Sequence, residues 1–252
     1  ESCKRNNIEL VVLGMGDDNF LNLSDKYKYW QEYLATLPDD EIIMLNDAYD
    51  VIIIDSGENI LRKFKKFNAP VVCGIRKYFP MKQVFPTCFD EVICTGNIIG
   101  YVGHIRKMID IILKYKNVPE IWDSNDDQYI FNMICRWEPY LRENIAIDKR
   151  QTLFFATQVT DHILKANLKY LVMKNNKIYK KKDGFDNKSD DRLENKLAGV
   201  EEEEEEEEVS VLHFAVGVDG NEYLEYLGYD TTKANGVGKY KIKQMINMML
   251  KL

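Results

Sequence analysis

The stretch "EIIMLNDAYDVIII", residues 41–54, decides the fold class, because two short apolar runs flank a pair of acidic residues. The first run is typical of a buried strand, since it is short, partly β-branched and continuously apolar. Asp47 and Asp50 stand three positions apart, where that strand ends. An ionised carboxylate is costly to bury unless a partner neutralises it. The stretch therefore predicts a strand end at which a positive charge meets two acids.

Strand and helix patterns alternate on both sides of this stretch. Strands are predicted at 8–14, 41–45, 69–75, 91–103 and 209–214, and helices at 24–37, 57–67, 104–116 and 126–137. This order favours the α/β class, with a mostly parallel sheet flanked by helices. Ligands of such sheets bind at the carboxyl ends of the strands, so the acidic pair becomes a candidate site.

The C-terminal part of the chain has a looser pattern. Residues 167–182 predict a hairpin with the turn "KNN", which adds a small C-terminal β extension to the fold. Residues 183–208 are polar, low in complexity and end in eight glutamates, so a mobile acidic loop is expected. Residues 238–252 predict a helix whose Met, Leu and Ile face packs on the core. We expect residues 1–252 to form a single domain with that loop as an insertion.

Composition excludes several classes of protein. The net charge is −7, and it becomes +1 without the glutamates of 201–208, so no clustered basic face for nucleic acid is expected. No apolar run of 18 residues predicts a transmembrane helix. The five cysteines form no CxxC pair, which argues against a zinc ribbon. Cys73 and Cys88 could form a disulfide in an oxidising compartment.

Two acidic pairs carry the candidate chemistry. Asp47 and Asp50 offer hard oxygen ligands to Mg²⁺ or Mn²⁺, although acids after a strand also stabilise plain turns. Asp126 and Asp127 begin a predicted helix, where an acid favours the helix dipole. Alternatively, this second pair could orient an acceptor hydroxyl or stabilise positive charge that develops on a sugar carbon.

Two further features are ambiguous from the residues alone. His213 ends a strand, where a neutral imidazole can bind a metal, but a lone histidine is more often structural. The run "ICTGNIIGYVG" fits neither the dinucleotide-binding nor the Walker glycine pattern. Its Gly96 and Gly100 either let the backbone approach a ligand closely or mark simple bends of the strand.

In this order, several segments resemble the glycosyltransferase domain of collagen lysyl hydroxylase/glucosyltransferases, to which the procollagen galactosyltransferases are related. The segments are "VVLGMGDD", "KYKYW", "IIMLNDAYDVII", "TGNIIGYVG", "DSNDDQYIF" and "LHFAVG…YLEYLG". The match covers roughly residues 8–150 and 209–230. The resemblance implies a GT-A type fold, Mn²⁺, a UDP-sugar donor and a collagen-like acceptor that bears hydroxylysine.

The resemblance also assigns a role to the residues around the expected cation. Asp47 and Asp50 match its metal-binding pair, and His213 matches the third metal ligand. Tyr49 matches the residue beside the uridine, and Lys26 matches a basic residue near the diphosphate. Gly96, in the glycine-containing strand, is assigned to the same donor-binding region.

The catalytic assignment falls on the second acidic pair. Asp126 and Asp127 match the acids near the donor sugar and the acceptor. Phe79 and Pro80 resemble an aromatic residue and proline in a loop beside the site.

The sequence departs from the family pattern at several points. "HFAVG" stands where the family has His-Gly-Asn-Gly, and "CTGNIIG" stands where it has "NSGGFIG", so that Cys94 replaces Asn and Asn97 replaces Gly. The resemblance implies a strand and nucleotide loop before Val11, and we expect this chain either to lack them or to build them differently. These departures motivate an alternative, a catalytically inactive binding module.

Our leading hypothesis is a metal-dependent transferase. It would move glucose or galactose from a UDP-sugar to hydroxylysine, or to galactosyl-hydroxylysine, of collagen-like chains. A UDP-sugar transferase with a non-collagen glycan acceptor is a third hypothesis. We expect the protein to be located in the lumen of the secretory pathway if it is cellular, and in the host cell or virion if it is viral. A homodimer is a further hypothesis.

Overall fold

A computed structural model describes residues 1–47, 50–76, 85–156, 171–175, 177–181, 206–214, 221–229 and 247–251. The strands are β1 (Glu9–Leu13), β2 (Ile42–Asp47), β3 (Val51–Ile53), β4 (Val71–Arg76), β5 (Val92–Tyr101), β6 (Ile145–Ile147), β7 (Phe154–Ala156), β8 (Leu171–Lys174), β9 (Lys177–Lys181), β10 (Glu206–Glu208), β11 (Val211–His213) and β12 (Asn247–Lys251). The helices are α1 (Ser2–Arg5), α2 (Lys26–Leu34), α3 (Gly57–Lys65), α4 (Val102–Lys114), α5 (Pro119–Trp122), α6 (Asp127–Cys135), α7 (Pro139–Asn144) and α8 (Asn221–Tyr226), and a 3₁₀ turn at Leu23–Asp25 precedes α2. In the described residues, no helix is both long and apolar enough to cross a membrane.

The main sheet has six strands in the order β1-β12-β2-β5-β4-β6. The predicted α/β class is confirmed, and β1, β2, β4 and β6 run in the same direction. Neighbouring strands nevertheless pair mainly antiparallel, because β12 and β5 run in reverse between the others. Only β4 and β6 form a parallel pair in this sheet, so the expected mostly parallel pairing is corrected to a mixed sheet.

Apolar side chains cover both faces of this sheet. On one face, α2, α4 and α6 bury the larger core cluster, which includes Trp30, Ile105 and Phe131. On the other face, α3 adds Ile60 and Phe64 to a second cluster. Burying a large apolar side chain contributes about 1.5 to 3 kcal/mol, so the two faces fix the positions of the strand ends that carry the acids.

A second sheet, in the order β3-β11-β7, brings distant segments of the chain together. Strand β11 pairs antiparallel with β3, so that His213 lies opposite Val51. It also pairs parallel with β7. The Phe214 amide donates a hydrogen bond of 2.7 Å to the Asp50 carbonyl. This pairing places the end of β11 beside the acidic pair.

The predicted hairpin is confirmed as β8 and β9, and β10 adds a third strand to it. Residues 206–208 are therefore a correction to the expected acidic loop. Lys177 contacts the Glu208 carboxylate at 2.8 Å, and Arg150 contacts Glu207. These glutamates form a strand because an edge strand rich in lysine offers both backbone hydrogen bonds and opposite charges. The rest of the expected loop lies outside the described residues.

The expected C-terminal helix is corrected at its end, where residues 247–251 form β12. This strand lies between β1 and β2, and it pairs antiparallel with both. Because β1 and β2 run in the same direction, a reversed strand between them can form backbone hydrogen bonds with both neighbours. Tertiary pairing of this kind overrides helix propensity.

The cysteine pairing also differs from the expectation. Cys88 forms a disulfide with Cys135, and Cys73 is a buried free thiol. Cys135 is the last residue of α6, and this helix packs against β5, which follows Cys88. Because that packing brings the two Cα atoms to 5.7 Å, the geometry of a disulfide is met. The partner of Cys88 is therefore Cys135 and not Cys73, the pairing considered from the sequence.

Candidate metal and donor site

The site is built from the ends of three strands. Asp47 ends β2, Asp50 immediately precedes β3, and His213 ends β11. Each of the three offers one ligand atom, and these atoms lie within 4.8 Å of one another. His213 Nε2 is 3.3 Å from Asp50 Oδ2 and 3.7 Å from Asp47 Oδ2. The structure thus brings together the residues that the resemblance assigned to the metal.

The imidazole of His213 is almost completely buried, with 1% of its side chain exposed. Burial by itself lowers the pKa of His213, but Asp50, followed by Cys94, raises it to about 10. The ring therefore lies in a strongly negative environment. A divalent cation would favour the same ligand atoms and would compensate the charge of these acids.

Two observations test whether a cation fits here. Asp50 Oδ1 is buried and has no hydrogen-bond partner among the described residues. Gly96 lies directly against the cluster, since a Cβ atom there would stand 2.2 Å from Asp47 Oδ2 and 2.6 Å from His213 Cε1. An unsatisfied buried carboxylate oxygen costs free energy unless a ligand compensates for it. The donor set and the space kept open by glycine both fit a divalent ion.

Lys26 is the positive charge that the sequence predicts at the end of β2. Its side chain is 3% exposed, and its Nζ lies 3.2 Å from Asp47 Oδ1 and also contacts Asp127. Burial opposes the charge, but Asp127 and then Asp47 raise the pKa of Lys26 well above its usual value. The pKa of Asp47 is lowered in turn, because Lys26 and His213 outweigh the effect of its burial. Lys26 therefore links the candidate metal ligands to the second acidic pair.

The two residues of the second acidic pair differ in their contacts. Asp126 is the N-cap of α6, where its carboxylate accepts a 2.8 Å hydrogen bond from the Tyr129 amide. Burial, followed by the charge of Asp127, raises the pKa of Asp126. Asp127 contacts Lys26 and the Thr95 hydroxyl instead. The capping role therefore falls on Asp126, and Asp127 belongs to the charged network of the site.

Sequence reasoning assigned no role to several polar residues that surround the cluster. Asn97 and Cys94 contact the far nitrogen of His213, at 3.1 Å and 3.5 Å. Arg76, at the end of β4, donates a 3.1 Å hydrogen bond to Gln128. Burial opposes its charge, but Cys94, Asp47 and Asp50 raise the pKa of Arg76. A signal was present in the polar residues 95 and 97 on either side of Gly96, within a strand that is otherwise buried and apolar.

Some of the expected site residues lie outside the described part of the chain. They are Tyr49, expected beside the uridine, Phe79 and Pro80 of the neighbouring loop, and the residues that follow Phe214 in "HFAVG". The roles assigned to Tyr49 and this loop stay predictions.

Comparison with known proteins identifies relatives of the chain. The sequence profile of the PLOD GT domain matches residues 1–186. Human procollagen-lysine,2-oxoglutarate 5-dioxygenase 2 is 25% identical over 173 residues, which cover 61% of this chain and 22% of the relative. A Caenorhabditis elegans protein, described as a multifunctional procollagen lysine hydroxylase and glycosyltransferase, is 27% identical over 172 residues, which cover 61% of this chain and 23% of the relative.

Among solved structures, the chain is similar to mouse xyloside xylosyltransferase 1, with a TM-score of 0.36 at 12% identity, over 57% of each chain. The matched region is less than a quarter of the length of the human and nematode relatives. The profile match covers well over half of the sequence, and it confirms the resemblance: the chain belongs to the PLOD GT domain family of glycosyltransferases.

Proposed function

We propose that this chain is a metal-dependent glycosyltransferase that moves glucose or galactose from a UDP-sugar to hydroxylysine, or to galactosyl-hydroxylysine, of a collagen-like chain. The observation that carries the proposal is the Asp47, Asp50 and His213 cluster. Two carboxylates and an imidazole that meet at the ends of three strands suit a divalent ion, for which Mn²⁺ is our candidate. Family membership supplies the reaction class.

In this proposal, Asp47, Asp50 and His213 hold the ion. When bound, a divalent cation neutralises the negative charge that develops on a leaving diphosphate. Lys26 holds Asp47 from the opposite side, at 3.2 Å from Oδ1, so Oδ2 stays directed toward His213. Gly96 keeps the space in front of these atoms open.

Asp127 is our candidate for the catalytic acid-base or charge-stabilising role, with Asp126 as its neighbour. Lys26 and Thr95 fix one carboxylate oxygen of Asp127. A carboxylate held in this way is oriented before substrate binds. Such preorganised charge stabilises a developing oxocarbenium ion, or a hydroxyl that becomes a nucleophile, without reorganisation during the reaction.

The acceptor class is supported by the relatives, whose names refer to procollagen lysine. The Cys88–Cys135 disulfide supports an oxidising compartment such as the secretory lumen, because cytosolic thiols are kept reduced. The acceptor is thus inferred from the relatives, and the compartment is inferred from the disulfide.

Release of UDP from UDP-glucose and UDP-galactose tests the proposal directly. The assay contains Mn²⁺ and a collagen-type peptide with hydroxylysine, or the same peptide carrying galactosyl-hydroxylysine. We expect peptide-dependent UDP release that is abolished by EDTA. A peptide with lysine in place of hydroxylysine is the matched control, and equal release with both peptides would argue for hydrolysis or for another acceptor.

An inactive binding module is the second candidate, favoured by the residues that follow His213, where "FAVG" replaces the family's Gly-Asn-Gly. Calorimetric titration of Mn²⁺ and UDP distinguishes the two candidates. Heat of binding from both ligands supports the transferase, whereas no heat at high protein concentration supports the module. Labelling of hydroxylysine-free glycans would instead favour the third candidate, a transferase with a non-collagen acceptor.

A further inference from the structure

Asn97 lies behind His213, on the side away from the acidic pair. Its side chain is fully buried, and its amide nitrogen lies 3.1 Å from His213 Nδ1. The other ring nitrogen, Nε2, lies 3.3 Å from Asp50. The two nitrogens of the imidazole thus face different partners, an amide on one side and carboxylates on the other.

The fold makes room for this amide. Asn97 pairs with Asn46 across β5 and β2, and it lies next to Gly74 of β4. A Cβ atom at Gly74 would stand 3.0 Å from the Asn97 Cβ and 3.1 Å from the Phe154 Cβ. Any larger residue at position 74 would therefore crowd the side chain of Asn97. The absence of a side chain at Gly74 thus leaves room for the side chain of Asn97 on the neighbouring strand.

We propose that Asn97 is a positioning residue, which holds the His213 ring so that Nε2 is presented to the metal. This inference rests on the proposed function. A histidine that binds a metal through one nitrogen usually donates the hydrogen of the other to an oxygen, and this second contact fixes the orientation of the ring. An asparagine amide can donate from its nitrogen or accept at its oxygen, depending on which end faces the ring.

The amide of Asn97 can meet both requirements. Its nitrogen lies 3.1 Å from His213 Nδ1, and its oxygen is buried without a hydrogen-bond partner among the described residues. A half-turn of the amide presents that oxygen to an Nδ1–H group, which is the arrangement that a metal on Nε2 requires.

Cys94 is the competing partner, because its Sγ lies 3.5 Å from the same Nδ1. A thiol is a weaker donor and acceptor than an amide. Cys94 also lies 3.8 Å from the Asn97 amide nitrogen. We therefore assign the positioning role to Asn97, with Cys94 as part of the packing around it.

The test measures the affinity for Mn²⁺ in the absence of substrate. Electron paramagnetic resonance gives the concentration of free Mn²⁺, so the readout does not depend on catalytic activity. Asn97→Leu keeps a side chain branched at Cγ but removes the polar contact, and we expect about a 10- to 100-fold loss of Mn²⁺ affinity. Asn97→Asp keeps an oxygen for Nδ1–H, so its affinity should stay within about threefold of the wild type. Cys94→Ala should also stay within about threefold.

Asn132→Asp is the control for a general loss of stability. Asn132 is equally buried, but it hydrogen-bonds the Ile93 backbone instead of His213, so its melting temperature should fall while Mn²⁺ affinity is retained. Unchanged affinity in Asn97→Leu, or a loss in Cys94→Ala alone, overturns the assignment to Asn97. A wild type that binds no Mn²⁺ contradicts the metal part of the proposed function instead.

Discussion

At the scale of single residues, two buried aspartates show how the same carboxylate serves different purposes. Asp148 is fully buried and accepts hydrogen bonds from the Thr152, Leu153 and Phe154 amides, at 3.1, 2.8 and 2.9 Å. Asp50 is also buried, but its Oδ1 has no hydrogen-bond partner in the described part of the chain. A satisfied carboxylate stabilises the fold, whereas an unsatisfied one is available to a ligand.

This contrast predicts opposite effects of two substitutions. Asp50→Ala should abolish Mn²⁺ binding and metal-dependent turnover while the melting temperature of the metal-free protein stays nearly unchanged. Asp148→Asn should reduce the free energy of unfolding by about 1 to 3 kcal/mol and leave Mn²⁺ affinity unchanged, because the three backbone hydrogen bonds that it disturbs do not involve the metal ligands. Calorimetric Mn²⁺ titration and thermal unfolding measure both. A large loss of metal-free stability in Asp50→Ala would show that this acid is structural.

Gly96 gives a prediction about space rather than charge. In Gly96→Ala, the new Cβ would stand 2.2 Å from Asp47 Oδ2, so the carboxylate or the strand has to move. We expect loss of Mn²⁺ binding together with a reduction in stability of about 1 to 3 kcal/mol. Equal Mn²⁺ affinity in this variant and the wild type would contradict the proposed position of the ion.

Gly103→Ala is the matched control for this substitution. The new Cβ would stand 3.0 Å from the Cβ of Asp39, an exposed residue, which has to shift by only a few tenths of an ångström. Because Gly103 lies in α4, where alanine is preferred, stability should change by no more than about 1 kcal/mol. Mn²⁺ affinity should not change.

At the scale of secondary-structure elements, a polar cluster joins α3 to the strands that carry His213. Asp55 accepts hydrogen bonds from Asn59 and from the Ser210 hydroxyl, both at 2.9 Å. Lys63 Nζ lies 3.2 Å from Asp55 Oδ2 and 2.7 Å from both Ser210 Oγ and the Glu208 carbonyl. These contacts hold the start of β11 against α3, and therefore fix where β11 ends.

The cluster predicts a pH dependence of stability. Burial raises the pKa of Asp55, but Asn59, Lys63 and Ser210 together lower it below its usual value. The contribution of ionised Asp55 to the free energy of unfolding is therefore complete above the unfolded-state pKa of about 3.9. It is lost as the pH falls through the lower pKa of the folded state. Asp55→Asn should be less stable than the wild type by about 1 kcal/mol at neutral pH, and this difference should shrink in acid. Urea unfolding at several pH values measures it, and a difference independent of pH would refute it.

The disulfide is a second link between elements, because it joins the segment before β5 to the end of α6. The two cysteines are 47 positions apart, and closing a loop of this length stabilises a fold by about 2 to 4 kcal/mol. Cys88→Ser/Cys135→Ser should lose this amount in denaturant unfolding. Dithiothreitol should destabilise the wild type to the same level and leave the double variant unchanged. Sensitivity of the double variant to the reductant would place the effect elsewhere.

At the scale of the whole molecule, the proposed site connects three segments that are far apart in sequence. Asp47 and Asp50 come from the first fifth of the chain, Asp127 from its middle and His213 from its last part. A ligand that contacts all of them binds only the folded state, so its binding energy adds to the stability of the whole fold. Ligand-linked stability is therefore a test of the assembled site.

We expect Mn²⁺ and UDP together, each at about 100 times its dissociation constant, to stabilise the protein by about 2.7 kcal/mol or more. For a chain of this size, that corresponds to a rise in melting temperature of roughly 5 to 10 °C. EDTA should reverse the rise, and His213→Ala should not show it. Differential scanning calorimetry provides the measurement, and a wild type that gains no stability from either ligand would support the inactive binding module.

Local patterns in the sequence predicted most of the core elements. The segments of β1, β2, β4, β5 and β11 are short apolar runs, and those of α2, α3, α4 and α6 have one apolar face, so each determines its own conformation. The acidic pair at the end of β2 could also be identified from the local pattern, because two charged residues follow an apolar run. Together with the order of the other segments, it was enough to indicate the family that the profile match confirms.

Only the tertiary structure decided what depends on pairing between distant segments. It placed residues 247–251 as a strand between β1 and β2, paired Cys88 with Cys135 and brought Asn97 behind His213. Local propensity carries no information about which backbone lies alongside which, because that is decided by the hydrogen bonds and packing of the complete fold. The sequence therefore determined the elements and the acids, and the tertiary structure determined the partners that turn those acids into a site.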